Sequence, residues 1–343
     1  MSEARPRHEG IILMMDTRLS LALEAGHVSL PPEGDIVVLG AAGQNLEGLP
    51  QERLLIVCDD VVAASAYEAQ GYALATELPD VAAGVVVFVP RGRLEGRVLF
   101  ARAAKMTGGT FIVDGVKTDG VDSHFKELRK RSTCSAAYSK AHGKIFSCDL
   151  KQDAAQDWLE AGVGGQNTDG FFTVPGVFSA EKVDEGSRLL EAVLPEKLGK
   201  EVADLGAGWG YLSRAILTRE TVETLHMVES SHAALECARV NTPDSRVQFH
   251  WADATRWQPR ASLDSVVMNP PFHTGRKGVP ELGQAFIASA AAALKGVGHL
   301  YMVANRHLPY EESLRARFGF VEELEGCNSR FKILHAAKPS RKR

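Results

Sequence analysis

Residues 201–217 read EVADLGAGWGYLSRAIL, and the pattern changes period twice within them. EVADL, from Glu201 to Leu205, is an apolar strand run, and YLSRAIL, from Tyr211 to Leu217, carries apolar residues at helical spacing. Between them Gly206, Gly208 and Gly210 allow a sharp turn that brings the backbone close to a ligand. A strand, a glycine turn and a helix N-terminus together make a site of the nucleotide-cofactor type. The spacing is GxGxG, whereas dinucleotide binders use GxGxxG. Asp204, just ahead of the turn, is unfavourable beside a pyrophosphate and favourable beside an ammonium group.

Outward from this turn, strand-like runs alternate with helical ones: ETLHMVE from Glu223, RVQFHWAD from Arg246, DSVVMNP from Asp264 and GHLYMVAN from Gly298. Near-continuous apolar strands alternating with helices predict a parallel sheet covered on both faces. A helical PYEESLRARFG follows, then FVEELEG from Phe320 and RFKILHAAK from Arg330, expected to close the sheet with an antiparallel hairpin. Glu229 ends the second strand, 25 residues after Asp204, where an acid can accept hydrogen bonds from both ribose hydroxyls. Asp253 follows the third strand, placed to accept from an adenine amino group. Ligands bind at the carboxyl ends of parallel strands. The loop, Glu229 and Asp253 therefore describe a pocket for a cationic adenosine, which is S-adenosylmethionine.

The first half repeats the rhythm with DIVVLG from Asp35, RLLIVCD from Arg53, GVVVFVP from Gly84 and GTFIVDG from Gly109. DIVVLGAAG matches VADLGAGWG, and the next acidic strand end, Asp59, lies 24 residues after Asp35. Where the second half has MNPPFH, the first has FVPRGR. This predicts a duplication whose first copy has lost its site chemistry, with only the second half ending in a hairpin. The glycine-rich segment from Asp153 to Pro175 reads as a linker, giving domains of residues 1–160 and 161–343.

The chain has 343 residues, of which 45% are hydrophobic and 24% charged, as expected for a globular protein with one large or two average domains. The apolar run around Val81–Val89 is too short to span a bilayer, and the polar opening MSEARPRHEG is not a signal peptide pattern. Five dispersed cysteines without a CxxC argue against a disulfide framework and a zinc site and fit a reduced cytosol. No metal is expected. Net charge is −4, yet Lys117 to Lys144 holds seven basic residues against three acids, a local patch suited to a polyanion or to a solvated face.

At VVMNPPFH, Val266 to His273, an apolar strand stops at Asn269 and two prolines follow. Prolines fix φ, donate no hydrogen bond and hold the preceding residue extended, so the corner is rigid. An exocyclic amine is a poor nucleophile because its lone pair is delocalised into the ring. Acceptors that hold its N–H groups let the nitrogen pyramidalise. The Asn269 side-chain carbonyl and the Pro270 backbone carbonyl are candidates, with Pro271 stiffening the corner and Phe272 stacking on the target base. Such orientation is worth up to roughly 7–11 kcal/mol when it replaces a bimolecular encounter. His273 is read as positioning the loop and is given no catalytic role.

DLGAGWG, MVES, WADA and NPPFH, in this order, resemble the motifs of class I S-adenosylmethionine-dependent methyltransferases, and the Asn-Pro-Pro-aromatic corner resembles that of the branch acting on exocyclic or amide nitrogens. With FFTVPGVFSAEKVDEGSRLLEAVLP from Phe171, the paired halves and the length, the chain resembles the small-subunit (16S) ribosomal RNA guanine-N2-methyltransferase C family. The resemblance is strong over about residues 171–338 and weaker before them. It implies two tandem Rossmann-like methyltransferase domains. The C-terminal one would be a mixed seven-stranded sheet ending in an antiparallel hairpin. The N-terminal one would be degenerate, serving RNA binding or structural support. It places Phe178, Ser179, Ser230, Ala254 and Asn269 at the cofactor beside the residues above, although Ser179-Ala180-Glu181 also reads as a helix N-cap region. It further implies action on ribosomal RNA within the 30S subunit. The charge pattern makes Lys126, Arg129, Lys130 and Arg131 the candidate RNA-facing patch, and a cytoplasmic monomer is expected because the sequence shows neither a signal peptide nor a dimer pattern. Alternatives within the chemistry are a guanine-N2 of the large-subunit RNA, adenine-N6 and a protein glutamine. Outside it stand a dinucleotide-dependent oxidoreductase, which leaves NPPFH without a role, and a ribosome-assembly factor that binds RNA without turnover.

Overall fold

A computed structural model describes residues 17–260, 262–271, 273–274, 277–278 and 280–340. The first half contains α1 (Arg18–Glu24), β1 (Ile36–Leu39), β2 (Leu54–Val57), α2 (Val61–Ala69), β3 (Ala73–Ala75) and β4 (Gly84–Phe88). It continues with α3 (Arg93–Thr107), β5 (Thr110–Val116), α4 (Val121–Arg131), β6 (Thr133–Cys134), β7 (Tyr138–Lys140) and β8 (Gly143–Asp149). These strands form one sheet in the order β3-β2-β1-β4-β5-β8-β6, with β7 also on β8. All pairs up to β5 are parallel, and β8 is antiparallel to its neighbours.

After α5 (Gln156–Ala161) and the small hairpin β9 (Gly165–Gln166) and β10 (Phe172–Thr173) come α6 (Glu185–Val193), β11 (Glu201–Leu205), α7 (Tyr211–Leu217) and β12 (Thr224–Glu229). Next are α8 (His232–Asn241), β13 (Val247–Trp251), β14 (Leu263–Met268) and the hairpin β15 (His273–Thr274) and β16 (Lys277–Gly278). The chain closes with α9 (Pro280–Ala293), β17 (Leu294–Asn305), α10 (Tyr310–Arg315), β18 (Phe318–Glu323) and β19 (Phe331–Pro339). The second sheet runs β13-β12-β11-β14-β17-β19-β18, parallel through β17 and antiparallel thereafter.

Both sheets therefore share one strand order, the first half ending like the second. The expectation of a hairpin in the second half alone is corrected. The first half's closing strands β6 and β7 are only two and three residues long, too short to carry a period in the sequence.

The strands bury both faces by simple alternation. In β1, Val37 and Leu39 join the core on one side and Ile36 and Val38 the core on the other. In β11, Ala203 and Leu205 face one core and Val202 the other, and β14 repeats this with Val266 and Met268 against Val267. The expected linker is structured: Trp158 of α5 is buried in the first half's core, and Phe171 beside β10 packs with Trp209 and Cys237 in the second half.

Cys134 and Cys148 are joined by a disulfide, which corrects the argument from cysteine spacing against a disulfide framework. They lie directly opposite on β6 and β8, Cα atoms 4.2 Å apart. Their 14-residue separation matches no motif, so only the strand register reveals the pair. Among the described residues, no helix is long and apolar enough to cross a membrane, and no group of three His, Cys, Asp or Glu is gathered to hold a metal ion.

Candidate active site

The register of the second sheet sets the predicted motifs side by side. Leu205 pairs with Val228 on one side and Met268 on the other, so Gly206, Glu229 and Asn269 leave the sheet at one level. Glu229 pairs in turn with Trp251, which places Asp253 just beyond the end of β13.

Gly206, Gly208 and Gly210 have φ of 74°, 55° and 96°, in the left-handed region that disfavours a Cβ. A Cβ on Gly208 would meet no atom within 4 Å, so the loop leaves a cradle above that residue. Gly206 and Ala207 donate to Val228 O at 2.8 and 3.1 Å, tying the loop to β12.

Asp204 is fully buried beneath the loop. Its Oδ2 accepts from Ser213 Oγ at 2.7 Å, while Oδ1 is buried without a partner. Burial pushes its carboxyl up to about 7, against the Ser213 hydrogen bond and with help from the Glu229 charge. A buried carboxylate oxygen lacking a donor fits a cationic ligand seated at this loop.

Glu229 accepts from Gly208 N at 2.8 Å through Oε2 and from Ser231 N at 2.9 Å through Oε1. Burial raises its pKa, and these backbone donors oppose the rise. Ser230 lies beside it, its hydroxyl 3.5 Å from Oε1. Asp253 Oδ1 accepts from Thr255 N at 2.8 Å and Thr255 Oγ1 at 2.6 Å. Its Oδ2 is 3.8 Å from the Arg256 guanidinium, and Ala254 beside it is buried.

Phe178 and Ser179 approach from the segment ahead of α6. The Phe178 carbonyl accepts from Trp209 Nε1 at 2.8 Å, joining this segment to the glycine loop, while the residue as a whole stays 61% exposed. Ser179 takes a φ of 52°, and its hydroxyl donates to Lys182 O at 2.8 Å. The reading of Ser179 as a helix N-cap is corrected: α6 begins at Glu185, and Asp184 caps it by accepting from Ser187 N at 3.0 Å.

The same Asp184 holds the Asn-Pro-Pro corner. Asn269 Nδ2 donates to Asp184 Oδ2 at 2.9 Å and to Ser187 Oγ at 2.8 Å. The amide group facing the Asp184 carboxylate is thus the NH₂. The Asn269 carbonyl oxygen is thereby turned away from the Asp184 carboxylate. Sequence reasoning missed Asp184 and Ser187. Their Asp-x-x-Ser spacing is a legible cap signal, but nothing local ties it to a residue 85 positions away. Pro270 is buried and Pro271 exposed; Phe272 lies outside the described residues.

The basic patch lies on α4, in the first half of the chain. Lys126, Arg129 and Lys130 are exposed. Arg131 is exposed too, but it is engaged: it pairs with Asp157 at 2.6 Å, donates to Ala154 O and lies over the Trp158 ring at 4.5 Å.

The methyltransferase small domain family model matches residues 169–335. The ribosomal RNA small subunit methyltransferase C of Hahella chejuensis is 32% identical over 65% of this chain and 68% of its own length. The protein of that name from Shewanella piezotolerans is 31% identical over 73% of this chain and 75% of its own. Among solved structures, the T. thermophilus 16S rRNA N2 G1207 methyltransferase in complex with AdoMet and guanosine superposes with a TM-score of 0.76 at 24% identity, over 94% of this chain and 92% of that one.

Proposed function

This chain belongs to the ribosomal RNA small subunit methyltransferase C family, and on that premise we propose that it methylates the exocyclic N2 of a guanine in 16S ribosomal RNA within the 30S subunit. It is an S-adenosylmethionine-dependent ribosomal RNA methyltransferase. The observation that carries the finer reading is the fixed direction of the Asn269 amide, held by Asp184 and Ser187 at the end of β14 beside the glycine loop.

S-adenosylmethionine supplies a methyl group already activated by its sulfonium. The work of the chain is placement. Asp204 and the glycine turn seat the cationic end, Glu229 accepts from the ribose, and Asp253 reads the adenine amino group, with Ser230, Ala254, Phe178 and Ser179 around them. Asn269 Oδ1 and the Pro270 carbonyl accept the two N–H groups of the target amine. This biases its lone pair towards the methyl group, and no strong base is needed before transfer. Phe272 stacks on the base, which has left any helical stack to reach the corner. Residues 1–160 form a degenerate domain that carries the RNA-facing surface at Lys126, Arg129 and Lys130, and residues 161–343 form the catalytic domain. The protein works as a cytoplasmic monomer in ribosome biogenesis.

The test is transfer of labelled methyl from S-adenosylmethionine to 30S subunits, 50S subunits and deproteinised RNA lacking the modification, followed by nucleoside analysis. N2-methylguanosine in 30S material is expected. Label in 50S material, on adenine or on protein overturns the assignment.

A further inference from the structure

The ends of β2 and β12, the two strands that correspond in the duplicated halves, meet. Asp60 and Ser231 form an antiparallel bridge, Val61 N donates to Ser230 O at 2.9 Å, and His232 N donates to Asp59 O at 2.8 Å. The Asp59 carboxylate accepts from Ser231 Oγ and from Ala233 N, each at 2.6 Å. Trp251 Nε1 bridges the halves by donating to Ser230 O at 2.7 Å and Asp59 O at 3.1 Å. Beside these contacts a cavity of about 390 Å³ lies between Cys58, Ala64, Leu74 and the Trp251 side chain. The carboxyl edge of the first sheet is thus where its own ligand would sit by the rule for open parallel sheets, and it receives the second half instead.

A second contact comes from Glu95 near the start of α3. Gly176, two residues before Phe178, has a φ of 101°, and a Cβ there would lie 2.9 Å from the Glu95 carboxyl carbon. Desolvation, reinforced by the Asp59 charge, pushes the Glu95 carboxyl up to about 7.

Ser231 connects the Asp59 contacts to the ribose acceptor. Its N–H donates to Glu229 Oε1 at 2.9 Å, its hydroxyl donates to Asp59, and the same oxygen accepts from Ala234 N at 3.1 Å to cap α8. Fixing the hydroxyl fixes the turn, and the turn fixes one carboxylate oxygen of Glu229. We infer that Asp59 is a positioning residue for the cofactor, so that the first half sets cofactor affinity in the second through the Asp59–Ser231–Glu229 relay. This rests on the reading of Glu229 as the ribose acceptor. Asp59 keeps an exposed edge, so the relay is worth less than a buried one.

The experiment uses the full chain and measures S-adenosylhomocysteine binding by calorimetry, steady-state kinetics and melting temperature in Asp59→Ala, Asp59→Asn and Glu229→Ala. Asp59→Asn keeps the size of the side chain but turns an NH₂ towards one of its two donors, so it decides the matter if the alanine variant fails to fold. The expected result is a rise of roughly three- to tenfold in dissociation constant and cofactor KM, with kcat within about twofold, from losing one or two such bonds. A lowered melting temperature with unchanged cofactor affinity makes Asp59 merely structural and overturns the inference. Unchanged affinity in Glu229→Ala overturns the ribose-acceptor reading, and the relay with it.

Discussion

Asp184 Oδ2 holds the Asn269 amide nitrogen at 2.9 Å while accepting from Ser187 N at 3.0 Å, so one carboxylate oxygen both starts α6 and sets the direction of the corner's amide. The two tasks separate by measurement. Asp184→Ala removes a helix cap, a loss of about 1 kcal/mol of stability. It also frees the Asn269 amide to rotate, and misplacement by an ångström is worth on the order of 10²-fold in rate. The expected outcome is a kcat lowered by that order with cofactor affinity kept, read by methyl-transfer kinetics beside calorimetry. Ser187→Ala, which removes one of two acceptors, should fall in between. A kcat unchanged in Asp184→Ala would remove Asn269 orientation from the mechanism.

The glycine loop gives a contrast between neighbours. Gly208 and Gly210 are both left-handed, but a Cβ on Gly208 meets nothing within 4 Å, whereas one on Gly210 lies 3.2 Å from Thr242 Cγ2 and 3.3 Å from Met227 Cε. Gly208→Ala should lower stability by only about 1–2 kcal/mol, the left-handed penalty. It should weaken cofactor binding at least about tenfold, because its methyl group projects into the cradle. Gly210→Ala should show the larger loss in denaturant midpoint, strain and crowding adding together. Equal effects on both measurements would mean that the cradle is not where the cofactor sits.

Much of this was legible in the sequence because it is local. Strand runs such as IVVL of β1 and GVVVF of β4 are apolar throughout, a consequence of burial on both faces. The loop Gly206–Gly210 announces its φ values by residue type. What stayed hidden depends on register between distant strands. The Cys134–Cys148 bond needs β6 laid against β8, and the Asp184–Asn269 contact needs α6 brought over the end of β14. Asp59 was legible as an acidic strand end, yet its partner Ser231 lies 172 residues away. No pattern within either half reveals that the two corresponding ends face each other.

Asp204 makes the protein's behaviour depend on pH. Its folded value of about 7 lies above the ordinary 3.8 because burial disfavours the charge. Between those values the folded chain keeps a proton that the unfolded chain releases. The contribution to stability is therefore greatest below the ordinary value, falls as pH rises through the window and levels off above about 7. A cationic ligand favours the ionised form, so cofactor affinity should rise with pH up to about 7 and then flatten. Denaturant melts and calorimetry between these limits test both signs. In Asp204→Asn the stability slope should shrink and cofactor binding should weaken and lose this dependence; an unaltered slope would move the titration to another group.

The RNA-facing proposal divides the basic patch by what each side chain already does. Lys126, Arg129 and Lys130 are exposed on α4, whereas Arg131 is occupied by Asp157 and Trp158. Each phosphate contact contributes about 0.7 to 0.9 to the slope of log affinity against log salt. Lys126→Glu combined with Lys130→Glu should therefore reduce that slope by about one to two in filter binding to 16S RNA, leaving the cofactor dissociation constant alone. Arg131→Ala should do the reverse, keeping the salt slope and lowering stability through its lost ion pair and ring contact, by roughly 1 kcal/mol given its partial exposure. If the double lysine variant binds RNA with the parental slope, α4 is a solvated face and the RNA is held elsewhere on the molecule.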